Sequence, residues 1–317
     1  AYLYCRMLDT YEDLLPTLPQ KESALKRFIS RFDNPGDLKS APPLDPALTA
    51  DAQESTHVLL VNRAALVDHH FDQLASSQQA AICRLVRRMG EGMIWASRIF
   101  KKQDGVLQTP AQLSRYCWHV LGTPILFADE MQRLDQGLSP QIGEDRLRQC
   151  AVVGEVIQLA NITRDLEKDV RRGIFYHPQL PDTENFRREQ CIREVRAQLV
   201  LRALRGFRQF PPFFNAIPAA PISRARGAAM LLIITTFSYY WRAAQKAGLP
   251  AFDKQQRITR LSGAFIWLKC ILSRRASARF MKWLEKTVVT AFERCQPDRS
   301  KRFIWEDGEF DVVALLK

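Results

Sequence analysis

Two pairs of aspartates stand at a spacing of four. Asp9 and Asp13 fall in YLYCRMLDTYED, and Asp165 and Asp169 in QLANITRDLEKDVRRGIFY. On a helix of ~3.6 residues per turn, such positions lie about 40° apart, one turn up the same face. Carboxylates that close repel unless a cation compensates them. Tyr2 and Arg6 continue the first stripe, and Gln158, Asn161 and Arg172 continue the second at steps of three and four. Magnesium takes oxygen ligands, keeps waters and bridges carboxylates to phosphates. Two facing helices, each with such a pair, would clamp a diphosphate and ready it to leave an allylic carbon. Arg6, Arg164 and Arg172 would take the remaining phosphate oxygens.

Spacing alone is weak, since a lone DxxxD is more often a solvated face. Asp68-His69-His70-Phe71-Asp72 repeats the spacing without the arginine and amide neighbours, and it reads as surface. The adjacent histidines point to different faces of a helix, which argues against a shared zinc.

The elements that must carry these stripes are helical almost throughout. Apolar periodicity predicts helices over 1–15, 20–32, 54–74, 77–102, 110–136, 144–172, 184–208, 222–247, 255–274 and 277–295. Prolines and glycines punctuate the gaps, Pro211-Pro212 among them, and Thr109-Pro110 and Ser139-Pro140 resemble helix starts. No alternating strand pattern and no glycine-rich nucleotide loop occurs. The expected fold is all-α, one helical domain over 1–296 with a tail at 297–317. The apolar run Gly227–Trp241 is shorter than the ~20 residues of a membrane span and reads as a core helix. Trp95, Trp118, Trp241 and Trp267, with Met93, Phe127 and Phe237, read as core.

The 317 residues carry 46 Lys and Arg against 34 Asp and Glu, a net charge of +12. This excess favours polyanions. The basic residues are scattered and show no nucleic-acid-binding signature, so phosphorylated small molecules fit better than nucleic acid. Seven cysteines without a CxxC pair read as reduced thiols, and with no signal peptide the expected setting is cytoplasmic.

AYLYCRMLDTYED and QLANITRDLEKDVRRGIFY resemble the two aspartate-rich motifs of the squalene/phytoene synthase family. RLVRRMGEGM and SRYCWHVLG, and downstream ISRARGAAMLLIITTFSYYWRAA and FDKQQRITRLSGAF, resemble further family segments in the same order. The resemblance covers roughly residues 1–275. It implies a class I isoprenoid synthase bundle around a central cavity and a magnesium-dependent, head-to-head prenyl transfer. Asp9, Asp13, Asp165 and Asp169 would bind Mg2+ and diphosphate, supported by Gln158 and Asn161. Tyr2 and Arg6 would face the site, and Tyr116 would match the family's active-site tyrosine. Arg164 and Arg172 would contact phosphate. Lys254 and Arg257 lie where members that use NADPH carry a basic flap; the other reading of them is an ordinary exposed loop.

Three departures stand out. The family's short Ser/Phe segment has no counterpart before Ala1, so the expectation is a chain without that lid. Val120-Leu121-Gly122-Thr123-Pro124 replaces the usual small-residue run, and suits a kinked helix at a cavity wall. The second motif carries its glutamate at Glu167 rather than directly before Asp169. DTYED leans toward squalene synthases and thus two farnesyl diphosphates joined through a cyclopropyl intermediate. A phytoene or dehydrosqualene product, a single-substrate terpene cyclase on the same fold, and a non-catalytic assembly factor are the alternatives. Peripheral membrane contact and oligomeric state stay open.

Overall fold

The computed structural model describes residues 1–34, 38–181, 185–215, 224–295 and 311–316. The chain order is α1 (Tyr2–Leu14), α2 (Leu18–Ser30), α3 (Ala52–Asn62), α4 (Ala64–Asp72), α5 (Ser76–Lys102), α6 (Pro110–Cys117), α7 (Thr123–Asp135), α8 (Glu144–Arg171), α9 (Asn185–Gly206), α10 (Phe210–Asn215), α11 (Arg224–Lys246), α12 (Arg260–Leu272), α13 (Arg274–Arg294) and α14 (Val312–Leu316). Among the described residues there is no strand, only one isolated parallel bridge between Val106 and Phe175. The all-α expectation holds. The residues form two compact units, 1–105 with 123–142, and 106–122 with 143–317.

The first unit is built from α1 to α5 and α7, with α1 packed on α2, α3 and α5. Its core is aromatic. Tyr4 meets Phe32 edge-on at 5.0 Å between ring centroids and Phe71 at 5.9 Å, and Tyr11 lies 5.5 Å from Phe28. Arg31 is buried among these rings, with its guanidinium 5.1 Å from the Phe28 centroid. Asp68 compensates the charge at 2.5 Å and accepts the Tyr4 hydroxyl at 2.8 Å. Asp68 is therefore the counter-ion of a buried arginine, which corrects its reading as surface; Asp72 is exposed. The helix expected over 54–74 breaks at Arg63, just after Asn62, whose side-chain amide exchanges two 2.8 Å hydrogen bonds with the Leu44 backbone.

In the second unit α8 is central, packed against α6, α9, α10, α11 and α14. Thr109 caps α6 as expected, accepting the Gln112 amide at 3.2 Å ahead of Pro110. Ser139 instead holds a turn by accepting the Gln141 amide at 3.2 Å, and α8 begins only at Glu144. Pro211-Pro212 do not break the chain but open α10, where first-turn amides need no partner within the helix. A π-helical turn, Trp118–Gly122, follows α6, in place of the expected kink. Pro124 has no N–H for the carbonyl four residues before it, and wider turns arise where that ladder is interrupted. Gly122 lies directly against Gly154 of α8, where an added Cβ would sit 2.5 Å from the Gly122 nitrogen.

Trp118, Phe237 and Met93 are buried as expected, whereas Trp95, Trp241, Trp267 and Phe127 are only half-buried. The cysteines are free thiols, five of them buried. No described helix is long and apolar enough to cross a membrane. Most of the 297–317 tail lies outside the described residues, but its Val312 and Val313 are buried and α14 packs on α8.

Candidate active site

Each aspartate pair lies in its own unit and near the C-terminal end of its helix. α1 ends at Leu14 and α8 at Arg171. The aligned peptide dipoles leave partial negative charge at such an end. Carboxylates there add to that charge, although on α8 Lys168 and Arg171 stand in the same last turn. On α1 no basic residue stands in the last turn to offset it.

In the first unit, Asp9 is partly buried, and an Arg6 guanidinium nitrogen lies 3.4 Å from its carboxylate. Burial pushes the Asp9 carboxyl up to about 7; Arg6 opposes that shift and Asp13 adds to it. Glu12, half-buried, is also pushed to about 7 by burial and by the charge of Asp13. Sequence reasoning left Glu12 out because one residue separates it from the 9/13 stripe, yet its charge adds to that of Asp9 and Asp13. Asp13 is exposed, and Tyr2 is 70% exposed at the start of the helix.

In the second unit the stripe forms as expected along α8. Gln158 is buried and its Oε1 accepts the Asn161 amide at 3.2 Å. Arg164 grips Asp165 through two hydrogen bonds, of 2.9 and 2.5 Å, and its guanidinium lies 4.8 Å from the Tyr239 ring centroid. Arg172, exposed, closes the helix, followed by Gly173 at φ +74. There the Ile174 amide donates to the Asp169 carbonyl at 2.9 Å and the Gly173 amide to Val170 at 3.2 Å. This left-handed closure satisfies the last carbonyls and suits glycine.

The chain then turns at once toward α6. The Leu107 amide donates to the Phe175 carbonyl at 2.8 Å, and the hydroxyls of Tyr116 and Tyr176 lie 3.4 Å apart. Tyr116 is half-buried and Tyr176 buried. Tyr176 and Tyr239 went unnamed in the sequence reading because each meets its partner only through the fold.

Glu167, the misplaced glutamate of the motif, points to a buried arginine. An Arg196 guanidinium nitrogen lies 2.6 Å from its carboxylate, and Lys246 lies 3.6 Å away. Lys254 and Arg257 are exposed between α11 and α12, with Arg257 5.4 Å from the Trp241 ring centroid.

No set of three or more His, Cys, Asp or Glu side chains converges as a metal cage among the described residues. Magnesium does not need one, because it uses one or two carboxylates together with waters and substrate phosphates. Aspartate carboxylates, which are all-oxygen donors, fit that demand.

The squalene/phytoene synthase family model matches residues 1–261. The chain belongs to the squalene/phytoene synthase family. Membership implies a prenyltransferase of the head-to-head type acting on prenyl diphosphates, and the helical architecture agrees with the isoprenoid synthase fold. No curated protein matches the chain.

Proposed function

We propose that this family member joins two molecules of farnesyl diphosphate head to head, through a cyclopropyl intermediate, to squalene or a close relative. The observation that carries the reading is the placement of Asp9/Asp13 and Asp165/Asp169 at the negative ends of two helices, each flanked by an arginine at its first aspartate. Magnesium, when bound, would neutralise the diphosphate and make it a better leaving group. Gln158 and Asn161 would orient Asp165 and Asp169.

Arg6, Arg164 and Arg172 would take phosphate oxygens. For Arg164 this means exchanging the Asp165 carboxylate for phosphate, which frees both Asp165 oxygens as the substrate arrives. Loss of the first diphosphate leaves an allylic cation at C1, and the double bond of the second molecule attacks it. One proton is lost as the cyclopropane closes, and the Tyr116 hydroxyl, 3.4 Å from that of Tyr176, would handle it. Ring opening expels the second diphosphate. Formation of squalene then requires a hydride from NADPH, for which Lys254 and Arg257 are the proposed holders; without it, a dehydrosqualene-type product results. Residues 1–296 would act together as the synthase, with α14 of the 297–317 tail packed on its α8.

Incubation with farnesyl diphosphate and magnesium, with and without NADPH, followed by mass analysis, tests the reading. A product of thirty carbons is expected. A fifteen-carbon product would mean cyclisation, and a forty-carbon product made only from geranylgeranyl diphosphate would mean a phytoene-type enzyme. Asp9→Ala and Asp165→Ala should each lower turnover at least a hundredfold while folding normally; full activity in both would defeat the assignment.

A further inference from the structure

The outer face of α12 is apolar and, among the described residues, uncovered. Leu261, Phe265, Leu268 and Leu272 follow steps of four, three and four, which places them on one stripe. They are 87%, 59%, 49% and 61% exposed. The helix is nonetheless firmly seated by its inner face. Trp267 Nε1 donates to the Gly227 carbonyl at 2.9 Å, Cys270 is buried, and Gly263 fits against Ile234. Thr259 caps its first turn by accepting the Ser262 amide at 3.2 Å. At the far end, buried Arg226 donates to the carbonyls of Cys270 at 3.1 Å and Ile271 at 2.7 Å. The apolar stripe therefore belongs to a helix held in place at both ends.

Charge accompanies the stripe. Between Lys254 and Leu284 the chain carries eight Lys or Arg and no Asp or Glu, and all eight basic side chains are exposed. Lys269 lies 4.2 Å from the Phe265 ring centroid, its stem along the apolar surface. Arg274 and Arg275 open α13 two and three residues after Leu272.

We propose that α12 docks into the interface of an anionic lipid bilayer. The leucines and Phe265 would enter the boundary between headgroups and acyl chains, and the surrounding Lys and Arg would contact lipid phosphates. A helix with an apolar face and a cationic border binds such an interface by combining apolar burial with attraction to anionic headgroups. Long basic side chains suit this role because their stems lie along apolar surface while their charges reach water. With thirteen residues, α12 is far below the ~20 of a membrane span, so it lies in the interface rather than across it. A protein partner is the weaker match, because side chains as exposed as Leu261 form a raised ridge, whereas a partner helix is received by a groove.

The test is flotation of the full chain, without prenyl substrate, on vesicles of phosphatidylcholine alone or with about 30% phosphatidylglycerol. The anionic vesicles should bind the chain at least tenfold better, and about 0.5 M NaCl should reduce that binding. Phe265→Glu with Leu268→Glu should lower binding at least tenfold without changing the melting temperature. Arg274→Glu with Arg275→Glu should lower it on anionic vesicles by a similar factor. Leu66→Glu, at a 65% exposed leucine of α4, should change nothing. Equal binding to neutral vesicles, unchanged binding by both double variants, or no flotation would overturn the proposal. So would a dimer in light scattering that the Phe265/Leu268 variant dissociates, since that would assign the face to a second copy of the chain.

Discussion

Arg196 on α9 holds the aspartate-bearing end of α8 from behind. Its Nε donates to the Thr163 carbonyl at 3.1 Å, and its guanidinium lies 2.6 Å from the Glu167 carboxylate. Thr163 and Glu167 bracket Asp165, on a face of the helix turned away from it. Arg196 is almost wholly buried, so it fixes the azimuth of α8 and with it the direction in which Asp165 and Asp169 project.

Arg196→Met should therefore cost about 1–3 kcal/mol in urea unfolding, because a buried carbonyl loses its donor and a half-exposed carboxylate its partner. Glu167→Gln should cost less, as Glu167 is 40% exposed and water replaces the arginine. A double variant less destabilised than the sum of the singles would identify the pair as coupled. If Arg196 only stabilises, turnover per folded molecule will be unchanged; a fall of about tenfold is expected from its positioning role.

On the proposed function, Asp9 would make metal binding pH-dependent. In the metal-free protein its carboxyl is pushed up to about 7, so below that pH a proton competes with the cation. Thermal stabilisation by magnesium with inorganic diphosphate should be full at pH 8 and shrink markedly by pH 6. Asp9→Asn should remove most of the stabilisation and weaken its pH dependence, leaving the share due to Glu12. A stabilisation constant from pH 6 to 8 in the parent protein would contradict this.

His177 gives the second unit an acid sensitivity. It is buried, its Nε2 lies 3.0 Å from Gln198 Oε1, and its Nδ1 accepts the Gln179 amide at 3.2 Å. The ring is thus held neutral, and burial lowers its pKa to about 4 against the opposing Gln198 contact. Above about 6.5 both folded and unfolded forms are neutral and the stability is intact. As pH falls from there to about 4, the unfolded chain takes up a proton that the folded one refuses, and about 2–3 kcal/mol is lost. His177→Gln should flatten that part of the stability profile measured by denaturant unfolding.

Gly154→Ala should destabilise by about 2–3 kcal/mol or more in thermal or urea unfolding. The added methyl would meet the Gly122 backbone rather than a movable side chain, so the π-turn or α8 must shift to admit it. Gly143→Ala, at a glycine with nothing within 4 Å of the added Cβ, is the matched control and should be near neutral.

The sequence made the helices legible because most of them carry their own apolar period and end at proline or glycine. It made the α8 stripe legible for the same reason, since Gln158, Asn161, Asp165 and Asp169 are neighbours by periodicity alone. What escaped was set by distant partners. Asp68 reads as surface until Arg31, thirty-seven residues away, is folded against it. Glu167 reads as a displaced ligand until Arg196 reaches it from α9. The break at Arg63 has no glycine or proline to announce it and depends on Asn62 meeting Leu44. Glu12 was passed over because a residue off the stripe by one position still shares its electrostatic field.

The first unit is discontinuous, formed by residues 1–105 and 123–142 around a segment that belongs to the second unit. Buried Glu130 of α7 accepts from Arg84 and Arg88 of α5 at 3.4 and 3.5 Å, so α5 lacks this counter-ion until α7 exists. On a ribosome, where chains grow at roughly 5–20 residues per second, α1 to α5 must wait several seconds for that partner. By then α6 has already emerged, committed to a unit whose central helix is still unmade. The two units therefore mature in an interleaved order, and a chain cut anywhere between 105 and 123 would leave both incomplete.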